Sequence, residues 1–407
     1  MLTKVYLSRG RRSEANKNGV NSLQKNSIFP VLLSFFILCA GFTPGPENVE
    51  NKPLQKAFAE EMFRPAPYSI TKIDKRGEMQ KISWRKPSVI KGVYATGWMA
   101  GSSKWLPRIV RFIDDTEINS LVIDVKDDTG TLSYESEVPL AKELGASLKK
   151  ISDPAKLIGT LREHQIYPIA RIVVFKDPFL AQKRPEWAVK DLYGGLWKDR
   201  KGLQWVDPNN KLVWEYTLDI AKEAIRMGFQ EIQFDYVRFT SDGDLKRCVY
   251  PFSTGQLKQD VIKDFLKYAK AELQKYTVPI SADIFGLTTS ADDDLGIGQQ
   301  FEKIAGSVDI VCPMVYPSHY AYGTFGLKIP DLHPYETVFR GVNDARKRLD
   351  KAGDSDTQLR PWLQDFSLGN YYGRAEIQAQ IKAVKDAGIN EWIFWNPSCR
   401  YSQEKYN

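Results

Sequence analysis

The 407-residue chain is 43% hydrophobic and 12% aromatic, enough to bury one barrel-sized core once an N-terminal leader is set aside. Its formal charge of +7 is concentrated in residues 1–26, where six Lys or Arg stand against one Glu, so the body is nearly neutral and points to no nucleic-acid partner. Three histidines (His164, His319, His333) without metal-ligand spacing and four cysteines (Cys39, Cys248, Cys312, Cys399) without a CxxC pair give neither a zinc site nor a disulfide framework. Carboxylates remain as the candidate acid–base groups, with no metal and no cofactor expected.

Residues 1–42 read as a signal peptide or membrane anchor. The apolar run 28–42 follows Lys4, Arg9, Arg11, Arg12, Lys17 and Lys25, and at about 15 residues it is short for a spanning helix, which favours cleavage. Cys39, within Ile-Leu-Cys-Ala, resembles a bacterial lipoprotein acceptor, although Leu38 stands where a small residue is expected. The protein is therefore expected in the periplasm, the cell envelope or outside the cell, with any membrane contact through this segment. Residues 43–90, rich in Pro, Glu, Lys and Asn, read as a linker and N-terminal extension.

From 91 to 407 short β-branched or aromatic runs alternate with amphipathic stretches, which predicts an α/β fold with parallel strands. The expected strands are Gly92–Trp98, Ser120–Val125, Tyr167–Phe175, Glu231–Phe239, Val278–Phe285, Asp309–Tyr316, Arg360–Phe366 and Glu391–Asn396. Helices are expected at Pro154–His164 after an Asp153 cap, Lys211–Met227 before Gly228, Thr254–Tyr276, and Arg374–Ala387 before Gly388. Eight strands close a (β/α)₈ TIM barrel. The rival doubly wound sheet would need a phosphate-binding loop, and no GxGxxG follows the first strand. The acidic run Asp292–Asp294 reads as decoration of a helix N-terminus rather than a calcium site.

In such barrels the chemistry lies at the C-terminal strand ends. Those ends supply Asp124, Lys126 and Asp127 from strand two, Asp235 and Arg238 from strand four, and Asp283 from strand five. Strand six supplies Tyr316, His319 and Tyr320, strand seven Gln364 and Asp365, and strand eight Trp395 and Asn396. Trp98, Trp362 and Trp395 read slightly more as core than as ligand contacts.

The runs Phe-Asp-Tyr-Val-Arg-Phe at 234–239, Ser-Ala-Asp-Ile-Phe-Gly at 281–286 and Pro-Met-Val-Tyr-Pro-Ser-His-Tyr at 313–320 together resemble a bacterial family of glycoside-hydrolase-type TIM barrels. That family is largely a domain of unknown function, similar to the wider amylase-like and galactosidase-like barrels. The resemblance covers about residues 91–400. It implies a glycosidase-type site with an Asp after strand four, here Asp235. Related barrels often supply a Glu after strand five, where this chain has Asp283.

Glycoside hydrolysis needs one carboxylate to attack or to activate water and one protonated carboxyl to serve the leaving oxygen. Asp235 and Asp283 fill that inventory, each inside an apolar run where an unpaired charge is costly. A purely structural role would pair Asp235 with Arg238, or Asp283 with Lys126. The remaining strand-end residues are expected to bind substrate, with aromatic faces packing on sugar rings. The expected activity is metal-independent hydrolysis of an envelope or extracellular polysaccharide. The alternatives are a noncatalytic carbohydrate-binding barrel and a metal-assisted polysaccharide deacetylase, which the dispersed histidines disfavour.

Overall fold

The computed structural model describes the backbone of residues 70–73 and 79–82, and residues 84–354 and 356–407 in full. The expected leader, Cys39 and most of the linker lie outside the described residues. Within the stretch expected as linker, Ile70–Ile73 and Met79–Ile82 form an antiparallel hairpin.

Eight strands make the barrel: β1 (Lys91–Ala95), β2 (Ser120–Lys126), β3 (Tyr167–Val173), β4 (Glu231–Asp235), β5 (Ile280–Phe285), β6 (Ile310–Met314), β7 (Trp362–Gln364) and β8 (Trp392–Trp395). Each pairs in parallel with the next, β8 pairs with β1, and the sheet closes. The principal helix following each strand is α1 (Leu106–Asp114), α2 (Pro154–Glu163), α3 (Lys211–Met227), α4 (Lys258–Leu273), α5 (Phe301–Ala305), α6 (Pro334–Ala352), α7 (Arg374–Asp386) and α8 (Gln403–Tyr406). The barrel expected from the alternating pattern is the fold.

Strand alternation splits the core into two layers. Outward residues such as Val93, Leu121, Ile123, Ile172, Phe234, Ile284 and Phe394 meet the helices. Inward residues, among them Tyr94, Val122, Ile169, Cys312, Trp362 and Ile393, fill the barrel. Asp153 caps α2 through Lys156 N, and Asn210 caps α3 through Leu212 N, each at 2.9 Å. Gly228 ends α3 at φ +112°, a conformation that Gly adopts without a Cβ clash.

Three expected boundaries move inward for one reason. The β3, β4 and β6 runs continue past the ladder as apolar sequence because Val174, Phe175, Val237, Phe239 and Val315 stay buried in the loops that follow, so burial extends beyond the regular ladder, with Val174 and Val315 still donating to Asp235 O and Trp362 O. β4 stops at Asp235 because Tyr236 takes φ +50°. The helix expected from Thr254 begins at Lys258, after Gly255 at φ +84°. Asp292–Asp294 do not head a helix: Asp293 and Asp294 accept from Leu295, Gly296 and Gly298 N within a loop, and α5 starts only at Phe301. The expected helices omitted α1, α6 and α8; in α6 the buried face is Thr337, Val338, Gly341, Val342, Ala345 and Leu349, too small and polar to stand out as a stripe.

Candidate active site

The register of the ladder brings the site together. Arg171 on β3 pairs with Asp124 on β2 and Gln233 on β4, so an inward side chain rising toward the mouth meets Asp124 on one side and Asp235 on the other. Its Nη1 lies 2.5 Å from Asp124 Oδ1, its Nε donates to Asp235 Oδ2 at 3.0 Å, and its Nη2 donates to the same oxygen. Tyr94 on β1 donates to Asp124 Oδ2 at 2.5 Å. Asp235 also accepts from the N–H of Tyr236. The positive φ of Tyr236 turns the chain sharply at the carboxylate, the kind of local strain often found at functional sites.

On the adjacent β5, Asp283 follows Ala282, the partner of Phe234, and so stands beside Asp235 facing inward. Trp362 Nε1 donates to Asp283 Oδ1 at 2.7 Å, and among the described residues no cation forms an ion pair with it. Burial, and then the negative charge of Asp235, hold its pKa well above the usual carboxylate range, with Arg171 opposing. Burial also raises Asp124, against the pull of Arg171 and the Tyr94 hydroxyl. Neither expected structural pairing occurs: Arg238 does not bind Asp235, and Lys126 does not bind Asp283.

An aromatic wall covers this carboxylate floor. Tyr316 packs at 5.2 Å from Trp395, 5.3 Å from His319 and 6.0 Å from Phe366. Burial, with Asp283 and Asp235 nearby, raises Tyr316 well above the usual tyrosine value and keeps its hydroxyl a donor. His319 keeps an exposed edge, but desolvation by its surroundings still shifts its pKa downward. Arg238 lies 4.6 Å from the Phe285 ring, 4.9 Å from Trp205 and 5.0 Å from Tyr236.

The mouth thus unites Asp124, Asp235, Arg238, Asp283, Tyr316, His319 and Trp395. The other expected contacts hold the scaffold. Lys126 is 2.6 Å from Asp177 and faces Tyr216 in the helix layer, after an irregularity in the ladder beyond Asp124. Asp127 fastens its own loop through Thr129 and Lys150. Tyr320 sends its hydroxyl outward against Gly286 and Gly341 of α6. Gln364 binds Ser318 N and Phe366 O, Asp365 is taken by Lys405 and Tyr406 of α8, and Asn396 shapes its own turn through Ser398 and Arg400. Trp98, read as core, is 62% exposed, while Trp362 is buried as expected.

Sequence reasoning missed Arg171, Tyr94, Trp362 as a partner of Asp283, Tyr236 and Lys176. Arg171 carried the same signal as Asp235, a charge within an apolar strand. Lys176 lies 2.7 Å from Asp128 and over the Tyr236 ring at 4.7 Å. A hollow of about 660 Å³ lined by Lys267, Lys270, Pro279 and Asp309 opens at the other end of the barrel. The residues before β5 form its wall, so it is remote from the carboxylates, and the chemistry of the strand ends outweighs its size.

A closed parallel barrel with carboxylates and aromatic rings gathered at its C-terminal mouth defines the architecture of a barrel enzyme of the glycoside hydrolase type. The chain matches, over residues 92–401, the family described as "Putative glycosyl hydrolase domain", and it belongs to that family. A hypothetical protein from Ruminiclostridium thermocellum ATCC 27405 is similar at 41% identity, over 51% of this chain and 99% of its own, with a TM-score of 0.45. The glycoside hydrolase domain of PgaB (BpsB) from Bordetella bronchiseptica shares the fold at 10% identity and a TM-score of 0.54, over 77% of this chain and 95% of its own. No curated protein matches the chain.

Proposed function

We propose that the protein hydrolyses glycosidic bonds of an envelope or extracellular polysaccharide, with Asp235 as nucleophile and Asp283 as acid–base. One observation carries the reading: two inward carboxyls stand side by side on adjacent strands in opposite surroundings. Arg171 compensates the charge of Asp235, whereas Asp283 is buried without an ion-pair partner and held toward its protonated form. Adjacent strands lie about 4.8 Å apart. Two side chains at one level therefore favour the spacing of about 5–5.5 Å that serves retention over the wider gap needed for inversion.

In the first step the Asp235 carboxylate bonds to the anomeric carbon as the glycosidic C–O bond breaks, and Asp283 gives its proton to the departing oxygen. In the second, water attacks the same carbon, Asp283 takes its proton, and the Asp235 ester is released. Tyr316 and Trp395 offer ring faces to the sugar, and Asp124 acts through Arg171. The cleft carboxylates are engaged by Arg171, Tyr94 and Trp362, which supports hydrolysis that survives EDTA. The basic and apolar leader supports a location outside the cytoplasm, to be checked by fractionation of the full chain.

The test is a glycan panel with mass detection of released fragments and NMR of the first-formed anomer. Asp283→Asn should harm glycans with poor leaving groups far more than activated aryl glycosides. Equal harm to both removes Asp283 from the acid role. A second reading is favoured by the 1% exposure of Asp283. An acid so covered suits a barrel that binds glycans without cleaving them, and retained binding with no turnover on any glycan would establish that reading.

A further inference from the structure

Arg238 is a buried cation without a direct ion pair, with Asp235, Asp242 and Asp199 acting on it only from longer range. It is 6% exposed, and among the described residues no carboxylate forms an ion pair with it. Its Nη1 donates to Phe239 O at 2.9 Å and to Ser241 Oγ at 3.1 Å. Among the described residues its Nε and Nη2 have no acceptor, and neither is sealed within the core. Three rings hold the guanidinium plane from Tyr236, Trp205 and Phe285, which fixes its orientation but supplies no anion. Tyr236 directly follows Asp235 and Phe285 lies two residues beyond Asp283, and the charge of Asp235 acts on this guanidinium without an ion pair, which places the arginine in the neighbourhood of the carboxylate pair.

An arginine this buried is costly without an ion-pair partner, and a planar fork fits a carboxylate with two parallel N–H···O bonds. Every other buried cation near the mouth has its partner: Arg171 has Asp124 and Asp235, Lys126 has Asp177, and Lys176 has Asp128. Arg238 alone among these keeps donors in reserve beside the bond-breaking groups. We propose that Arg238 receives the carboxylate of an acidic sugar, so that the substrate is a uronic-acid-type or otherwise carboxylated glycan rather than a neutral one. This rests on the glycan-cleft reading above and narrows its substrate class.

The experiment measures binding by calorimetry on the full chain carrying Asp235→Asn, so that affinity is read whether or not hydrolysis occurs. The probes are hexamers of galacturonate, mannuronate and glucuronate, each beside its own carboxyl-reduced, neutral counterpart. At least one acidic hexamer should bind 10-fold or more tightly than its reduced form. Adding Arg238→Lys, which keeps charge but loses the fork, should bring that ratio toward one, and Arg238→Gln should abolish it, with melting curves checking that each variant is folded. Equal binding of every acidic and reduced pair, or a preference unchanged in a folded Arg238→Lys chain, would overturn the proposal. Turnover of neutral glycans by the parent chain with no acidic preference would leave the hydrolase reading standing and remove only the carboxylate. Preferred binding of an acidic hexamer with no turnover by the parent would do the reverse.

Discussion

The barrel holds two ionic clusters in its interior, one at each end. At the N-terminal end Arg360 bonds Glu231 at 2.8 and 2.9 Å and Glu391 at 2.8 Å, Ser281 adds a hydrogen bond to Glu231, and Ile90 N binds Glu391. Arg360 and Glu231 are almost fully covered. At the C-terminal end one arginine, Arg171, faces Asp124 and Asp235, while Asp283 stands beside them without a cation. The first cluster is closed and satisfied and acts as a plug. Both clusters hold more carboxylates than arginines, two to one in the first and three to one in the second, but only the second leaves a carboxyl, Asp283, without an ion-pair partner and held toward protonation. That unpaired carboxyl separates a site from a brace, and it falls at the end where barrel enzymes place their chemistry.

The sharpest test exchanges charge for shape at the mouth. Asp235→Asn should lower turnover about 10³-fold or more, with a melting temperature within a few degrees of the parent, measured by steady-state rates and calorimetry. A large fall in stability with modest loss of rate would make the mouth a second brace. At the opposite end, Arg360→Met leaves Glu231 buried and unpaired and should cost about 3–5 kcal/mol in urea unfolding. Adding Glu231→Leu should recover much of it, and turnover per folded molecule should hardly change.

The pH response gives a smaller effect with a definite sign. Between the ordinary carboxyl pKa of 3.8 and the raised value of Asp283, the folded chain keeps a proton that the unfolded chain releases. Stability should therefore fall as pH rises through that window. Asp283→Asn should remove this slope, leaving a variant more stable than the parent at neutral pH and close to it in strong acid. Turnover should fall on the alkaline side as Asp283 loses its proton. A parent and variant with parallel stability curves would place Asp283 at an ordinary pKa. The smallest effect belongs to Trp98, exposed on the short helix Gly97–Ala100 after β1: Trp98→Ala should change stability by less than about 0.5 kcal/mol and weaken glycan binding a few-fold at most, read by titration.

The fold was legible because burial on both faces leaves a mark in one dimension. The apolar runs that became β1 to β8, and Gly228 and Gly388 after α3 and α7, specify the eight strands and four of the helices between them. The carboxylates Asp235 and Asp283 were legible for a related reason, since a charge inside an apolar run demands a partner or a task. Partnership was not legible. Arg171 stands 64 residues before Asp235 and Arg360 129 residues after Glu231, and only closure of the barrel brings them together. Strand register decided that Asp124 faces the mouth while Lys126, after the ladder irregularity, turns to Asp177 in the helix layer. Composition and periodicity thus determined the eight-strand barrel and the acidic strand ends, while the tertiary structure chose which acids share a cation, which stands without one, and which arginine is left open. Electrostatic energy depends on distance in space, and sequence separation does not carry it.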